Sequence, residues 1–221
     1  IIWLFGQCKN MGKIISEQTK PLRSILIFGP PGSGKGTLGG FLSSAGNHYH
    51  LSSGDIFRGL SPDSPAGKIF HEYAGRGKLV PDEVTIEIWK HFVGGLIATN
   101  CYFPHEQFLL LDGLPRTTCQ KELMAPHIDL MHIIHLEMPN IEVLVGRLKR
   151  RAMIERRMDD FDENILRARM QVYKDETFRV LKEYPQELIS TFSADQPPLD
   201  VLRDVLVKLS YLLTHISNID Q

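Results

Sequence analysis

Short apolar runs alternate along the chain with longer stretches whose apolar residues fall at helical spacing. The runs are SILIF at 24–28, YHL at 49–51, FLLLD at 108–112, MHIIHLEM at 131–138 and ELISTFS at 187–193. Near-continuous apolar strands separated by helical segments are the signature of βαβ units, in which a parallel sheet is covered on both faces. The pattern predicts an α/β fold with a five-stranded parallel sheet flanked by helices. Beyond the last run, Leu199, Leu202, Val205, Leu206, Leu209, Leu212, Leu213 and Ile216 recur at helical spacing. They predict an amphipathic helix packed on the sheet, with docking of a partner as the other use of such a stripe. Two segments break the rhythm. SPDSP at 61–65 cuts 52–80 into short pieces, read as a small inserted helical unit, and 147–160 carries six basic residues in fourteen. There are no internal repeats and no low-complexity tracts.

A chain of 221 residues can bury one sizeable core, with room for one or two small insertions. Lys and Arg number 25 against 26 Asp and Glu, so no global field calls for nucleic acid or an anionic membrane. Any anion site must come from local clustering of arginines. Cys8, Cys101 and Cys119 are odd in number and far apart, which fits a reduced compartment rather than a disulfide framework or a zinc site. No apolar run approaches the ~20 residues that span a bilayer, and a soluble, cytoplasmic protein is expected. The opening IIWLFGQCKN lacks a basic region before its short apolar stretch, making it a poor signal peptide. Residues 1–20 are read as a poorly ordered extension outside the fold, a targeting or anchoring role of the first ten being the alternative.

The strongest chemical signal is GPPGSGKGT at 29–37, directly after the first apolar run. A buried strand that ends in such a turn and restarts as a helix aims several backbone N–H groups at one point, where phosphate oxygens can be held. Lys35 would reach the β and γ phosphates, and the glycines let the backbone approach closely. A glycine-rich turn without a ligand is the bland alternative. The strict P-loop pattern has Ser or Thr directly after the lysine. Here Gly36 intervenes and the hydroxyl arrives at Thr37.

That GKGT ending is similar to those of nucleoside monophosphate kinases, and further motifs narrow the likeness. LSSGDIFR at 51–58, LLDGLPRTTCQ at 110–120 and RRMDD at 156–160 follow in order, so the chain resembles the adenylate kinase family from about residue 25 to residue 195. The resemblance implies a core of residues 21–51, 81–146 and 161–221, a monophosphate-binding insert at 52–80 and a short lid at 147–160. It implies Mg²⁺-dependent transfer between ATP and AMP by a monomer, with no zinc, no nucleic acid and no membrane as partner. Lys35, Arg116, Arg151, Arg157 and Arg169 would be catalytic. Gly32, Ser33, Gly34, Lys35, Gly36, Thr37 and Arg147 would bind ATP, with Arg147 against the donor's adenine. Ser53, Gly54, Arg58, Leu79, Val80, Gly113, Arg116 and Gln120 would bind AMP. Thr37 and Asp112 would serve Mg²⁺, Asp112 through water.

The residue types suit that chemistry. Phosphoryl transfer to a phosphate needs no general base, but it needs cations in line with the moving group, and guanidinium forks bind phosphate oxygens bidentately while keeping their charge. Arg150 and Arg156 are read as a solvated face, which remains the alternative for Arg116, Arg147 and Arg169. For Asp112, ending an apolar run, the alternative is a capping or structural role. Ser53, where the family's adenylate kinases usually have Thr, and Gln120 favour AMP. UMP/CMP kinases tend to have Ala at the former place and Asn where Thr117 stands. Leu114 replaces a preferred aromatic, and RAMIERRMDD lacks the lid glycines, which predicts a more helical, stiffer lid. A nucleotide-binding module without turnover is the reading from another class. His48 with His50 and His132 with His135 lack metal geometry and are read as structural or exposed. Gly39 and Gly40, each costing about 1 kcal/mol against Ala in a helix, are attributed to tight packing on the sheet.

Overall fold

The computed structural model describes residues 20–155 and 161–214. Of the residues singled out above, Cys8, Arg156, Arg157 and Ile216 lie outside the described residues, as does all but the last position of the 1–20 extension.

Five parallel strands form one sheet: β1 (Leu22–Phe28), β2 (Tyr49–Ser52), β3 (Leu109–Asp112), β4 (Ile128–Glu137) and β5 (Ile189–Ser193), in the order β2-β3-β1-β4-β5. The connections are helical: α1 (Lys35–Gly46), α2 (Ser53–Arg58), α3 (Pro65–Ala74), α4 (Asp82–Ala98), α5 (Thr118–Met124), α6 (Ile141–Glu155), α7 (Glu163–Val172), a π-helical turn (Tyr173–Thr177), α8 (Phe178–Lys182) and α9 (Pro198–Thr214). β1 lies between β3 and β4, with Ile27 in register with Asp112 and with Ile134. From β1 the chain runs to β2 at one edge, returns to β3 beside β1, and then crosses β1 to β4 on its other side, so a crevice opens at the carboxyl ends of these strands, where open α/β sheets bind ligands.

Alternation along each strand builds two cores. Ile25 and Ile27 of β1, Leu110 of β3 and Ile134 of β4 face α1, α6, α7 and α9. Leu22, Leu26 and Phe28, with Leu109, Leu111 and Ile133, face α2, α4, α5 and α8. Burial on both faces is why these strands read as unbroken apolar runs rather than alternating ones. In α9 the buried stripe is Val201, Val205, Leu209 and Leu213, with Leu202 and Leu212 partly covered. Leu199 and Leu206 do not belong to it. Leu199 is exposed in the first turn and Leu206 is half exposed, because a step of four along the helix, not the apolar count, selects the covered face.

Ser64 caps α3 by accepting from Gly67 N at 3.0 Å, with Pro65 at the first helical position. Pro and Ser thus start a new short helix after the break at 61–65 instead of prolonging α2. α6 runs through position 147 to Glu155 without interruption, and 147–155 carries no glycine.

The two helical glycines of α1 have different causes. A Cβ at Gly39 would overlap the His50 ring on β2, so helix and strand approach through that gap. Nothing lies within 4 Å of a Cβ at Gly40, and packing does not explain it. Gly40→Ala is therefore expected to raise stability by about 0.5–1 kcal/mol, while Gly39→Ala lowers it by ~1 kcal/mol or more. Denaturant unfolding of the two variants side by side checks the contrast.

Candidate active site

The crevice is a cavity of about 1180 Å³ bordered by the turn after β1, the carboxyl ends of β2 and β3, and helices α2 to α4, α6 and α7. At the turn, Gly34 adopts φ +92° as the residue before α1, a left-handed conformation that side chains disfavour. α1 thus begins at Lys35 with its first N–H groups uncapped by any side chain. Lys35 folds back so that Nζ donates to Gly29 O at 2.8 Å and Pro30 O at 3.1 Å.

Lys35, Arg58, Arg116, Arg151 and Arg169 all border this one cavity. They come from α1, α2, the turn after β3, α6 and α7, elements far apart in sequence. Burial lowers the Lys35 pKa to about 8; Asp112 opposes the drop, while Arg116, Arg151 and Arg169 add to it. Burial, helped by Arg169 and Arg58, likewise pushes Arg116 down to about 10, with Asp112 opposing. At neutral pH Lys35 and Arg116 both remain cationic. Charges that disfavour one another and share one carboxylate make a site whose missing complement is an anion.

Asp112 ends β3 and is nearly buried, beside β1 and β2. Burial raises its pKa, but His50, Lys35 and Arg116 outweigh this and hold the carboxyl below its ordinary value. His50 Nε2 sits 3.8 Å from Asp112 Oδ2, an electrostatic contact rather than a hydrogen bond. A Cβ at Gly36 would lie 3.6 Å from Asp112 Oδ2, so the carboxylate faces the first turn of α1, where Thr37 borders the cavity. One carboxylate and one hydroxyl form an all-oxygen donor set suited to a hard cation that keeps most of its waters. Among the described residues no cluster of three or more His, Cys, Asp or Glu could hold a metal by itself.

At the other end of the cavity the turn after β3 is tied to the start of α2. Ser53 Oγ donates to Gly113 O at 3.0 Å, Arg116 Nε donates to the same oxygen at 2.8 Å, and Arg116 Nη2 donates to Ser53 Oγ at 3.3 Å. The Ser53 hydroxyl thus holds Arg116 in place. Arg58 pairs with Asp55 at 2.6 Å. Gly54, Leu79, Val80, Gly113 and Gln120 complete this end. Thr117 caps α5 by accepting from Gln120 N at 3.1 Å, which sets Gln120 on the third helical position with its side chain turned back toward Arg116.

At the first end, Gly32, Gly34, Gly36 and Thr37 border the cavity, together with Arg147, whose Nη1 donates to Ala194 O at 2.9 Å beside Pro197 and Pro198. Ser33 does not border this cavity: its N–H bonds Pro30 O at 3.1 Å, and its buried Oγ has no hydrogen-bond partner. Arg157 lies outside the described residues. Arg150 is exposed at the rim. Sequence reasoning missed His50, which borders the cavity, and Asp82, which bonds Gln120. The sole sequence signal for His50 was the Gly39 that makes room for its ring.

A parallel sheet with a glycine-rich strand-to-helix turn, and cations gathered at the carboxyl ends of its strands, defines a P-loop phosphotransferase acting on nucleotides. The adenylate kinase family model matches residues 27–189. The chain is 36% identical over 166 residues to an adenylate kinase of Rhodopirellula baltica, covering 72% of this chain and 80% of that protein. It is 33% identical over 188 residues to one of Cyanothece sp., covering 82% and 92%, and 38% identical over 166 residues to one of Micrococcus luteus, covering 72% and 77%. The chain belongs to the adenylate kinase family.

Proposed function

We propose that the protein catalyses the reversible, Mg²⁺-dependent transfer of the terminal phosphoryl group of ATP to AMP, giving two ADP. The observation that carries this is the convergence of Lys35, Arg116, Arg151 and Arg169 on one cavity that the glycine-rich turn and the Ser53 and Arg116 cluster both border. The acceptor phosphate is already an anionic nucleophile at neutral pH, so the protein supplies position and charge rather than a base. In this reading Lys35 and the amides after Gly32 hold the donor phosphates. Arg58 and Arg116 hold the acceptor phosphate, and Arg151, Arg169 and Arg157 meet the group in transfer. Arg147 lies along the donor base and Gln120 meets the acceptor base beside Leu79 and Val80.

Asp112, through water, and the Thr37 hydroxyl would hold Mg²⁺, which screens the phosphate charge when bound. We further assign residues 52–80 to a monophosphate-binding insert and 147–160 to a short lid, whose closure would exclude water from the reacting phosphates. The continuous helix through Arg151 supports a stiff lid, and slow opening would then limit turnover. Among the described residues no helix is long and apolar enough to cross a membrane. Cys101 and Cys119 are unpaired. Free thiols favour a reduced, cytoplasmic setting.

A coupled assay with AMP, CMP and UMP as acceptors tests the assignment. AMP is expected to give the highest kcat/KM by about a hundredfold or more. A preference for a pyrimidine acceptor would refute it. A dinucleotide bridging both ends should bind far more tightly than ATP alone, since linked occupancy raises effective concentration; equal binding would indicate a single-site module.

A further inference from the structure

The Gln120 carboxamide is held from two sides by groups whose hydrogen-bonding sense cannot be reversed. On one side the Arg116 backbone N–H, which can only donate, gives its proton to Oε1 at 2.7 Å. On the other, Nε2 donates at 2.8 Å to Asp82 Oδ1, and an ionised carboxylate can only accept. Turning the amide over would set its NH₂ against an N–H and its oxygen against a carboxylate. Gln120 is 1% exposed, so little water can reach the two held atoms to repair those contacts. The orientation therefore follows from the partners' chemistry.

Asp82 is the first residue of α4, where the helix dipole favours a negative charge. It does not border the cavity and stands behind Gln120. Capping of α5 accounts for the bond from Arg116 N, but it does not account for a carboxylate brought 38 positions along the chain to the opposite atom of the same amide. With both partners in place, one acceptor site on Oε1 and one N–H on Nε2 remain, in a fixed order. Adenine offers a ring nitrogen acceptor beside an amino donor, which matches that order. Hypoxanthine offers a ring N–H beside a carbonyl oxygen, which matches only the reversed amide.

We propose that Asp82 is a positioning residue that locks the Gln120 amide, and thereby makes the monophosphate site select a 6-amino purine over a 6-oxo purine. The proposal rests on the reading of Gln120 as the group that meets the acceptor base. The test is kcat/KM for AMP and for IMP, at saturating MgATP, in the wild type, Asp82→Asn and Gln120→Ala. An asparagine amide can turn to serve either orientation of Gln120. Because the Arg116 N–H still opposes reversal, the AMP-to-IMP ratio in Asp82→Asn is expected to fall by about three- to tenfold, with kcat/KM for IMP rising in absolute terms. A defect of folding or general positioning would lower both acceptors together. A parallel fall or an unchanged ratio overturns the lock. Should Asp82→Asn not fold, Asp82→Ser, whose hydroxyl also donates or accepts, gives the same readout. A collapsed ratio in Gln120→Ala beside an intact one in Asp82→Asn would keep the base reading and discard the lock. An intact ratio in Gln120→Ala would discard both.

Discussion

Arg116→Ala is expected to lower kcat by about three orders of magnitude or more while leaving the fold intact. Three facts drive the expectation. Its guanidinium is pinned by Gly113 O and Ser53 Oγ at the carboxyl end of β3, so it cannot drift to another anion. It is close enough to Arg58 and Arg169 for their charges to disfavour its own, which leaves it poised to gain from a phosphate. And it borders the same cavity as Lys35, the group expected to hold the donor. Removing a cation that burial already penalises should cost little stability, so the thermal midpoint is expected to stay near that of the wild type. Arg116→Lys tests the fork separately from the charge: restored charge without bidentate geometry should recover under a tenth of the lost rate. A steady-state assay with a melting curve on each variant is sufficient, and near-normal turnover in Arg116→Ala would refute the role.

Lys35→Met should lower kcat by about two to three orders of magnitude and weaken MgATP binding, because it deletes the only lysine that borders the cavity from the glycine-rich turn. It should also change how stability depends on pH. In the folded protein the Lys35 pKa is lowered from 10.5 to about 8, chiefly by burial. Below about 8 the lysine is protonated in both states, and the folded form bears the whole penalty of a buried charge. Between about 8 and 10.5 the unfolded chain holds the proton that the folded one has released, so this group makes stability rise with pH across that window. The methionine removes both the penalty and the rise. Unfolding curves at neutral and alkaline pH should therefore show the variant more stable than the wild type at pH 7, with the gap narrowing as pH rises. A gap that widens instead would mean that Lys35 is stabilised in its charged form.

The strands were legible because of where they sit. A parallel strand buried on both faces has no polar alternation to obscure it, so SILIF and FLLLD stand out from any neighbouring helix. The glycine-rich turn was legible for a different reason: a left-handed residue at Gly34, followed at once by a helix, leaves few residue types that can serve. Boundaries were less clear. β4 starts at Ile128 rather than 131, because Asp129 and its neighbours are paired to β1 by backbone bonds that no side chain signals. In α9 the pattern overcounted the buried face by Leu199 and Leu206 and overlooked Val201, since which turn of a helix meets the sheet depends on where the preceding loop releases it.

Within the site, the basic residues were visible one at a time, but their partners were not. The Ser53 hydroxyl reads as a group for the base, yet it bonds Gly113 and Arg116. Gln120 reads as an isolated amide, yet Asp82 determines which way it faces. His50 reads as a strand histidine, yet it fills the space left by Gly39 and stands beside Asp112.

By itself the sequence determined the class of sheet, the phosphate-binding turn and the supply of cations, since each depends on local backbone preference or on residue type within one segment. The tertiary structure alone decided the order of the strands, the meeting of Lys35, Arg116, Arg151 and Arg169 from separate elements, and the orientation of the Gln120 amide. Those depend on distances between segments far apart in the chain, and such distances are set only when both faces of the sheet are covered and the crevice at its edge takes shape.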